Sequence, residues 1–545
     1  MPAPQTTPDA AFGSAVESWS RKAFCTFAIG ANAAAFALGG WVHPWFYALY
    51  ALFVPLTIIG TYDALQKRHT ILRNFPLFGH IRYFLESLRP EIRQYFIESD
   101  SEDLPFSREK RSLVFQRAKG QLDTRPFGTL RDVNAIGYEW VNHSLSPVTP
   151  SPEAARLLIG GPRCKKPYSS SLLNVSAMSF GALSKNAILA LNMGAKRGNF
   201  AHNTGEGGIS PYHLEPGGDL IWQIGTGYFG CRRGDGGFDE GLFREKCAQH
   251  SAIKMIELKL SQGAKPAHGG ILPAAKITPE IAAIRHVPLG EDVNSPPAHS
   301  AFQGPTGLLL FVQKLRELSG GLPVGFKLCV GRPREWFSIV KAMLETGILP
   351  DFITVDGGEG GTGAAPLEFL NSIGMPLADG LSLVHGSLEG ANLRSQIRII
   401  ATGKVTSGFD ILRHIALGAD GCNAARAMMF ALGCIQALKC NTNKCPTGVA
   451  TTDPKLVAGL VVEPKSERVY SYHKRTIHSF LEMLGAAGLG HPDALSADHV
   501  MRRIATGKIK RLAELYPQFR RGGLLEGDCP ECYRDEWLSA SSASF

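Results

Sequence analysis

Cys434, Cys440 and Cys445 stand in the run GCIQALKCNTNKCPTGVAT with the spacing C-x5-C-x4-C-P. Three thiolates held close together suit an iron–sulfur cluster better than zinc, whose structural sites usually take four ligands. A proline after the last cysteine fits the same reading. Three buried free thiols are the competing one, since cysteine is often only a small core residue. A second set of groups suits anions. Lys259, Lys265, Lys327, Lys404 and Arg426 each lie in or just after a short apolar run. The glycine-rich stretches 203–208 (NTGEGG) and 356–363 (DGGEGGTG) would let backbone amides come close to a ligand. Together these groups fit an anionic cofactor or an acidic substrate. Cys529 and Cys532 form a C-x2-C near the C-terminus, half of a zinc site with no second pair to complete it.

These residues need a scaffold that brings strand ends together. Eight apolar runs recur: 172–177, 199–205, 220–226, 253–259, 324–330, 352–358, 397–403 and 422–426. Buried parallel strands read as such runs rather than as alternating ones. Helical stretches fall between many of them, as at 186–197, 333–346 and 408–417. The expected fold is an α/β protein, a (β/α)8 TIM barrel, with chemistry at the C-terminal strand ends and an anion site after strands seven and eight. A doubly wound sheet is the alternative. The nearest dinucleotide fingerprint, GEGGTG at 358–363, leads into Ala-Ala-Pro, so no dinucleotide fold is indicated.

The chain has 545 residues, 44% hydrophobic and 19% charged, which excludes disorder for most of its length. Its 60 glycines follow no G-X-Y period. A net charge of +9 is too weak to argue for nucleic acid, and 11 unevenly spaced cysteines do not make a disulfide scaffold. Apolar residues are concentrated near the N-terminus. From Phe24 to Gly60 there is no Asp, Glu, Lys or Arg. Two transmembrane helices are expected near 24–41 and 45–61, with Gly39-Gly40 and His43-Pro44 at the turn. Arg21 and Lys22 before the pair, and Lys67, Arg68 and Arg73 after it, place both ends and the catalytic domain on the cytoplasmic side. A signal peptide or a buried helical pair are the rivals. Residues 65–95 carry six Lys/Arg against Glu86 and Glu91, which suits either an anionic leaflet or a solvated helix face. The expected division is a tail (1–23), a membrane hairpin (24–62), a basic connector (63–165), a barrel with its cysteine loop (166–455) and a helical C-terminal extension (456–545).

Five segments resemble the FMN-binding synthase domain of glutamate synthase: NVSAMSFGALS (174–184), HNTGEGG (202–208), KLSQGAKP (259–266), DGGEGGTGAAP (356–366) and CNTNKCPTGVAT (440–451). The resemblance covers about 165–455 and the basic stretch 105–111. It implies FMN at the barrel mouth beside a 3Fe–4S cluster on Cys434, Cys440 and Cys445. It implies FMN contacts from Ala177, Met178, Ser179, Thr204, Gln223, Lys327, Gly360, Gly361, Thr362, Gly403, Ala425 and Arg426. Substrate contacts would come from Lys259, Gln262 and Lys265, with Glu206 as an acid or hydrogen-bonding group near the flavin. The implied activity is reduction of 2-iminoglutarate, formed from 2-oxoglutarate and ammonia, to L-glutamate, with electrons passing from the cluster through FMN.

The departures shape the expectation too. The chain opens Met1-Pro2-Ala3 rather than on a nucleophilic cysteine, and the stretch before the barrel is short for a glutaminase. External ammonia or an amine is therefore expected, with an external electron donor such as a ferredoxin or a membrane partner. The stretch after Cys445 is short for the family's β-helix, and His268 stands where the family usually has glutamate. Other outcomes are an FMN barrel acting on another 2-oxo acid or amine, and a non-enzymatic membrane electron relay.

Overall fold

Eight parallel strands close on themselves: β1 (Leu173–Val175), β2 (His202–Asn203), β3 (Leu220–Ile224), β4 (Ile253–Lys259), β5 (Val324–Leu328), β6 (Phe352–Asp356), β7 (Arg398–Thr402) and β8 (Gly421–Ala424). Each pairs with its sequence neighbour, and β8 returns to β1. Each of the eight apolar runs supplies one strand. Their residues are buried almost throughout because helices cover the outside and side chains fill the inside. The fold is thus a (β/α)8 barrel, as expected, and the doubly wound sheet is excluded.

The computed structural model describes residues 19–101, 104–121 and 124–545, so most of the expected 1–23 tail lies outside the described residues. The chain divides into two compact units, residues 1–104 and 105–545. The division falls inside the expected 63–165 connector.

In the first unit, α1 (Arg21–Trp41) and α2 (Tyr50–Leu65) are joined through a 3-10 turn at Pro44–Leu49. Ser20 accepts a hydrogen bond from the Ala23 amide and so caps α1. The two helices pack closely: a Cβ at Gly60 would lie 2.2 Å from the Phe24 ring. Asn32 Nδ2 donates across the pair to Thr57 Oγ1 at 2.9 Å. Arg21–Trp41 and Pro44–Leu65 are each long and apolar enough to cross a bilayer, and their outward side chains, such as Ile29, Phe36 and Ile58, are exposed. After a short helix at Thr70–Asn74 comes α3 (Phe78–Ile92).

In the second unit, α4 (Arg108–Ala118) packs on the long α5 (Val462–Ala486), which also lies across the barrel helices Lys185–Gly198 and Gly408–Ala416. Ser471 Oγ donates to the Arg117 carbonyl at 2.7 Å. This part of the connector therefore wraps the barrel. Beyond α5 the extension is not uniformly helical: Val500–Ala505 and Lys508–Arg511 form an antiparallel sheet with Glu139–Val141. Its short strands carry Lys and Arg at half-exposed positions, a pattern without helical periodicity.

Candidate active site at the barrel mouth

A cleft with ≈ 1310 Å³ of empty space, counting the part open to solvent, lies over the C-terminal strand ends. One end is rich in glycine and carries cations. Gly360, Gly361 and Thr362 follow β6, Gly403 and Lys404 follow β7, and Ala425 and Arg426 follow β8. Arg426 Nη2 donates to the Glu359 carbonyl at 3.0 Å, and its guanidinium lies 4.6 Å from the centre of the Phe106 ring. Burial pushes this arginine down to about 10. The loop after β7 is held by Asp410, which accepts from the Thr406 and Ser407 amides and pairs with Lys110 of α4 at 3.4 Å. After β1 come Ala177, Met178 and Ser179, also on the wall.

A polar layer forms the floor. Glu257 Oε1 accepts from Gln223 Nε2 at 2.6 Å and Asn203 Nδ2 at 2.8 Å, and Oε2 accepts from Thr354 Oγ1 at 2.7 Å. These bonds satisfy a buried carboxylate that would otherwise be costly. Lys327 Nζ lies 3.0 Å from Asp356 Oδ2. Burial disfavours its charge, but Asp356 and Glu257 outweigh that and hold the ammonium above the usual lysine range.

The other end gathers cations around one carboxylate. Lys259 Nζ is 2.9 Å from Glu206 Oε1, with both side chains nearly buried. Burial would raise the Glu206 carboxyl, yet the charge and hydrogen bond of Lys259, with Arg285 and Lys265, pull it below the usual range. Glu206 is therefore an ionised acceptor. Lys265 Nζ donates to the Ala364 carbonyl at 2.7 Å, and burial together with Lys259 lowers it to about 8. Arg285 Nη2 donates to Ser179 Oγ at 3.2 Å, and burial lowers it to about 10. Gln262 lines the same end. Gly205 lets the loops meet: it sits at φ +64°, and a Cβ there would lie 2.8 Å from the Ser179 amide nitrogen.

Cys440 lies on the cleft wall. Cys434 Sγ accepts from the Gln436 amide at 3.4 Å, and Cys445 Sγ lies 3.4 Å from Thr447 Oγ1. The thiols are close enough to feel one another's charge. Burial lifts Cys434 to about 12 and also lifts Cys440, whereas Cys445 is lowered because hydrogen bonds from Thr447 and nearby amides outweigh its burial. Lys276 is buried beside them, donates to the Cys440 carbonyl at 3.2 Å, and is lowered by burial to about 8. Among the described residues, no three His, Cys, Asp or Glu side chains converge closely enough to hold a single metal ion.

All the site residues read from the sequence line this cleft except Thr204, Cys434 and Cys445. Thr204 lies behind the wall, where its Oγ1 donates to the Gly205 carbonyl at 2.9 Å and accepts from the Gln223 amide. It braces two loops. His268 is not on the wall; its ring packs edge-on to Phe369 at 5.1 Å. The sequence reading missed Phe106, Glu257, Lys276, Arg285 and Asp356 as parts of the site. Asp356 opens a glycine loop already singled out, and Phe106 lies in the basic 105–111 stretch. The other three stand in ordinary contexts that carried no signal.

Residues 162–490 match the family described as "Conserved region in glutamate synthase". The glutamate synthase large subunit-like protein YerD of Bacillus subtilis is 39% identical over 498 residues, covering 84% of this chain and 94% of that protein. The archaeal glutamate synthase (NADPH) of Methanocaldococcus jannaschii is 36% identical over 323 residues, and the match spans 60% of its length. A flavocytochrome b2 mutant with pyruvate bound superposes with a TM-score of 0.40 at 12% identity over 77% of this chain and 85% of that one, too loosely to bear on function. The match over more than half of the chain, carried by the barrel that builds this cleft, places the protein in the glutamate synthase family of oxidoreductases.

Proposed function

We propose that this chain is a membrane-anchored FMN and iron–sulfur oxidoreductase that converts 2-oxoglutarate, ammonia and two electrons to L-glutamate through 2-iminoglutarate. The observation that carries the reading is the set of Lys259, Lys265 and Arg285 around the ionised Glu206, in one cleft with a separate cationic end. A 2-oxo dicarboxylate needs two cationic anchors, and an imine nitrogen needs an acceptor; this end supplies both.

The residues present fit FMN. Arg426, Lys404 and the small residues Gly360, Gly361 and Gly403 would hold its phosphate, and Gln223 and Lys327 would face its ring. FMN supplies hydride chemistry when bound. The donor set of Cys434, Cys440 and Cys445, with Lys276 to balance thiolate charge, fits a 3Fe–4S cluster, which supplies single electrons. In the reaction, Lys259, Lys265 and Gln262 bind and orient the carboxylates. Glu206 accepts a hydrogen bond from the nitrogen, first of ammonia and then of the protonated imine, and so favours the charge that makes the imine carbon electrophilic. Met178 and Phe106 help exclude water from the cleft. Overall, the protonated imine takes up two electrons and one proton, equivalent to a hydride, and the C=N bond becomes C–N. The electrons come from an external donor, a ferredoxin-type protein or a membrane partner. Residues 21–65 fix the enzyme to the lipid.

The test is anaerobic turnover of detergent-solubilised protein with reduced dye, ammonium and a panel of 2-oxo acids. Flavin absorbance with an iron–sulfur shoulder, and glutamate formed from 2-oxoglutarate, are expected. A colourless protein refutes the cofactor assignment. Turnover confined to another 2-oxo acid would replace the substrate.

A further inference from the structure

Beyond Gly79, every residue of helix α3 is exposed, yet the helix is strongly two-faced. Phe78, Ile81, Leu85, Leu88 and Ile92 recur at steps of three and four, and the helix continues through a wider turn to Ile97 that adds Tyr95 and Phe96 to the same face. These side chains are exposed, Leu85 at 54% and Phe96 at 85%. A merely solvated helix does not present such a face. Arg82, Arg89 and Arg93 follow one another along one border of the apolar face; Glu86 is on the same border and lies 3.7 Å from Arg82. Long cationic side chains beside an apolar stripe can reach headgroups while the stripe enters the acyl boundary.

The start of the helix is fixed to both ends of the hairpin. Asp63, fully buried near the end of α2, accepts from the Leu77 amide at 3.0 Å and from His80 Nε2 at 2.9 Å. Trp19 Nε1 donates to the Pro76 carbonyl at 2.7 Å, and its ring lies 4.9 Å from Phe78 and 5.5 Å from Phe27 of α1. Thus Phe78 begins where α1 enters and α2 leaves, the level of the basic residues Arg21, Lys22, Lys67 and Arg68.

We propose that Phe78–Ile97 is an in-plane anchor that lies along the cytoplasmic surface of an anionic bilayer, its apolar face in the acyl boundary and its arginines among the headgroup phosphates. The occupant of the exposed face is lipid: the stripe is continuous with the two candidate spans, and its arginine border complements anionic headgroups. This rests on the reading that residues 21–65 span the membrane. An in-plane helix would fix the direction in which the chain leaves the surface.

The experiment uses the full chain in nanodiscs, with an environment-sensitive fluorescent residue placed singly at Leu85 (apolar face), Ser87 (opposite face) or Ile58 (hairpin). Quenching by lipids brominated near the glycerol end of the chain is measured in phosphatidylglycerol-containing and in pure phosphatidylcholine discs. The expected result is quenching at 85 at least threefold stronger than at 87, reduced in pure phosphatidylcholine and in the Arg82→Gln/Arg89→Gln variant. Quenching at 58 with none at 85 would overturn this proposal alone. No quenching at 58 or 85 would overturn the spanning reading with it. Shielding of 85 that appears only when two copies share a disc would instead assign the face to a second copy and overturn the lipid assignment.

Discussion

Lys265 is a substrate-end cation of the cleft whose charge changes near pH 8. Burial and Lys259 lower it to about 8 from an ordinary value of 10.5, so it is protonated below that pH and neutral above it. A carboxylate anchor must be protonated. The KM for the 2-oxo acid should therefore stay flat below pH 8 and climb toward about tenfold per pH unit above it, with kcat less affected. Steady-state kinetics from pH 6.5 to 9.5 check this, and Lys265→Arg should move the rise beyond the measured range. The Lys259–Glu206 pair makes a second prediction. Lys259→Met leaves a nearly buried carboxylate without its nearest cation, an effect that reaches about 3–5 kcal/mol for a fully buried pair. Here Lys265 and Arg285 remain, so the loss should fall below that range, and adding Glu206→Gln should recover most of it. Chemical denaturation of both variants measures the difference. At the anion end, Phe106 holds the Arg426 guanidinium under its ring and is 2% exposed. Phe106→Ala should weaken FMN binding about tenfold, a loss of roughly 1–2 kcal/mol for a desolvated cation–π contact; titration of apoprotein with FMN, followed by flavin fluorescence, gives the number.

Loops and short elements set how these residues meet. The glycine loop after β2 can touch the loop after β1 only because residue 205 has no Cβ and adopts a positive φ. Gly205→Ala should cost about 1–3 kcal/mol of stability and move Glu206 away from Lys259, which lets burial lift the Glu206 carboxyl and would appear as an acid limb of the activity profile shifted to higher pH. The cysteine loop is a separate element on the same wall. Cys440→Ser should abolish the iron signal, because the cluster would lose one of its three thiolates, and retain FMN, because serine keeps nearly the same volume on the cleft wall; iron and flavin assays on the purified variant distinguish the two cofactors. Retained iron in that variant would refute the thiolate assignment.

For the whole molecule, the position of the unit boundary matters. Leu104 ends the first unit, and two residues later Phe106 is part of the cleft wall. The basic stretch 105–118 thus belongs to the catalytic unit although the family match begins at residue 162. Removal of residues before Pro105 should give a protein that retains FMN without detergent. Removal through Lys119 should lose it, because Phe106, Lys110 and α4 go together. Flavin content of the two truncations tests the boundary.

How much of this was legible beforehand depended on the range of the interaction. Strand positions were, because residues buried on both faces must be apolar, and each of the eight runs became a barrel strand. The glycine loops and most cleft residues were also legible, since they follow strands directly and resemble family segments. The hairpin of Val500–Ala505 and Lys508–Arg511 was not, because its half-exposed basic strands carry no clean period. Arg285, Lys276 and Glu257 could not be read either: each becomes part of the site only when strands or loops far apart in sequence close around it. Thus the sequence by itself determined the barrel, the apolar N-terminal helices and the chemistry available at the strand ends, all consequences of local pattern. Only the tertiary structure decided which charges face one another, that Glu206 is ionised between Lys259, Lys265 and Arg285, and that no described residue covers the apolar face of α3, because burial and charge pairing arise from contacts that no local pattern encodes.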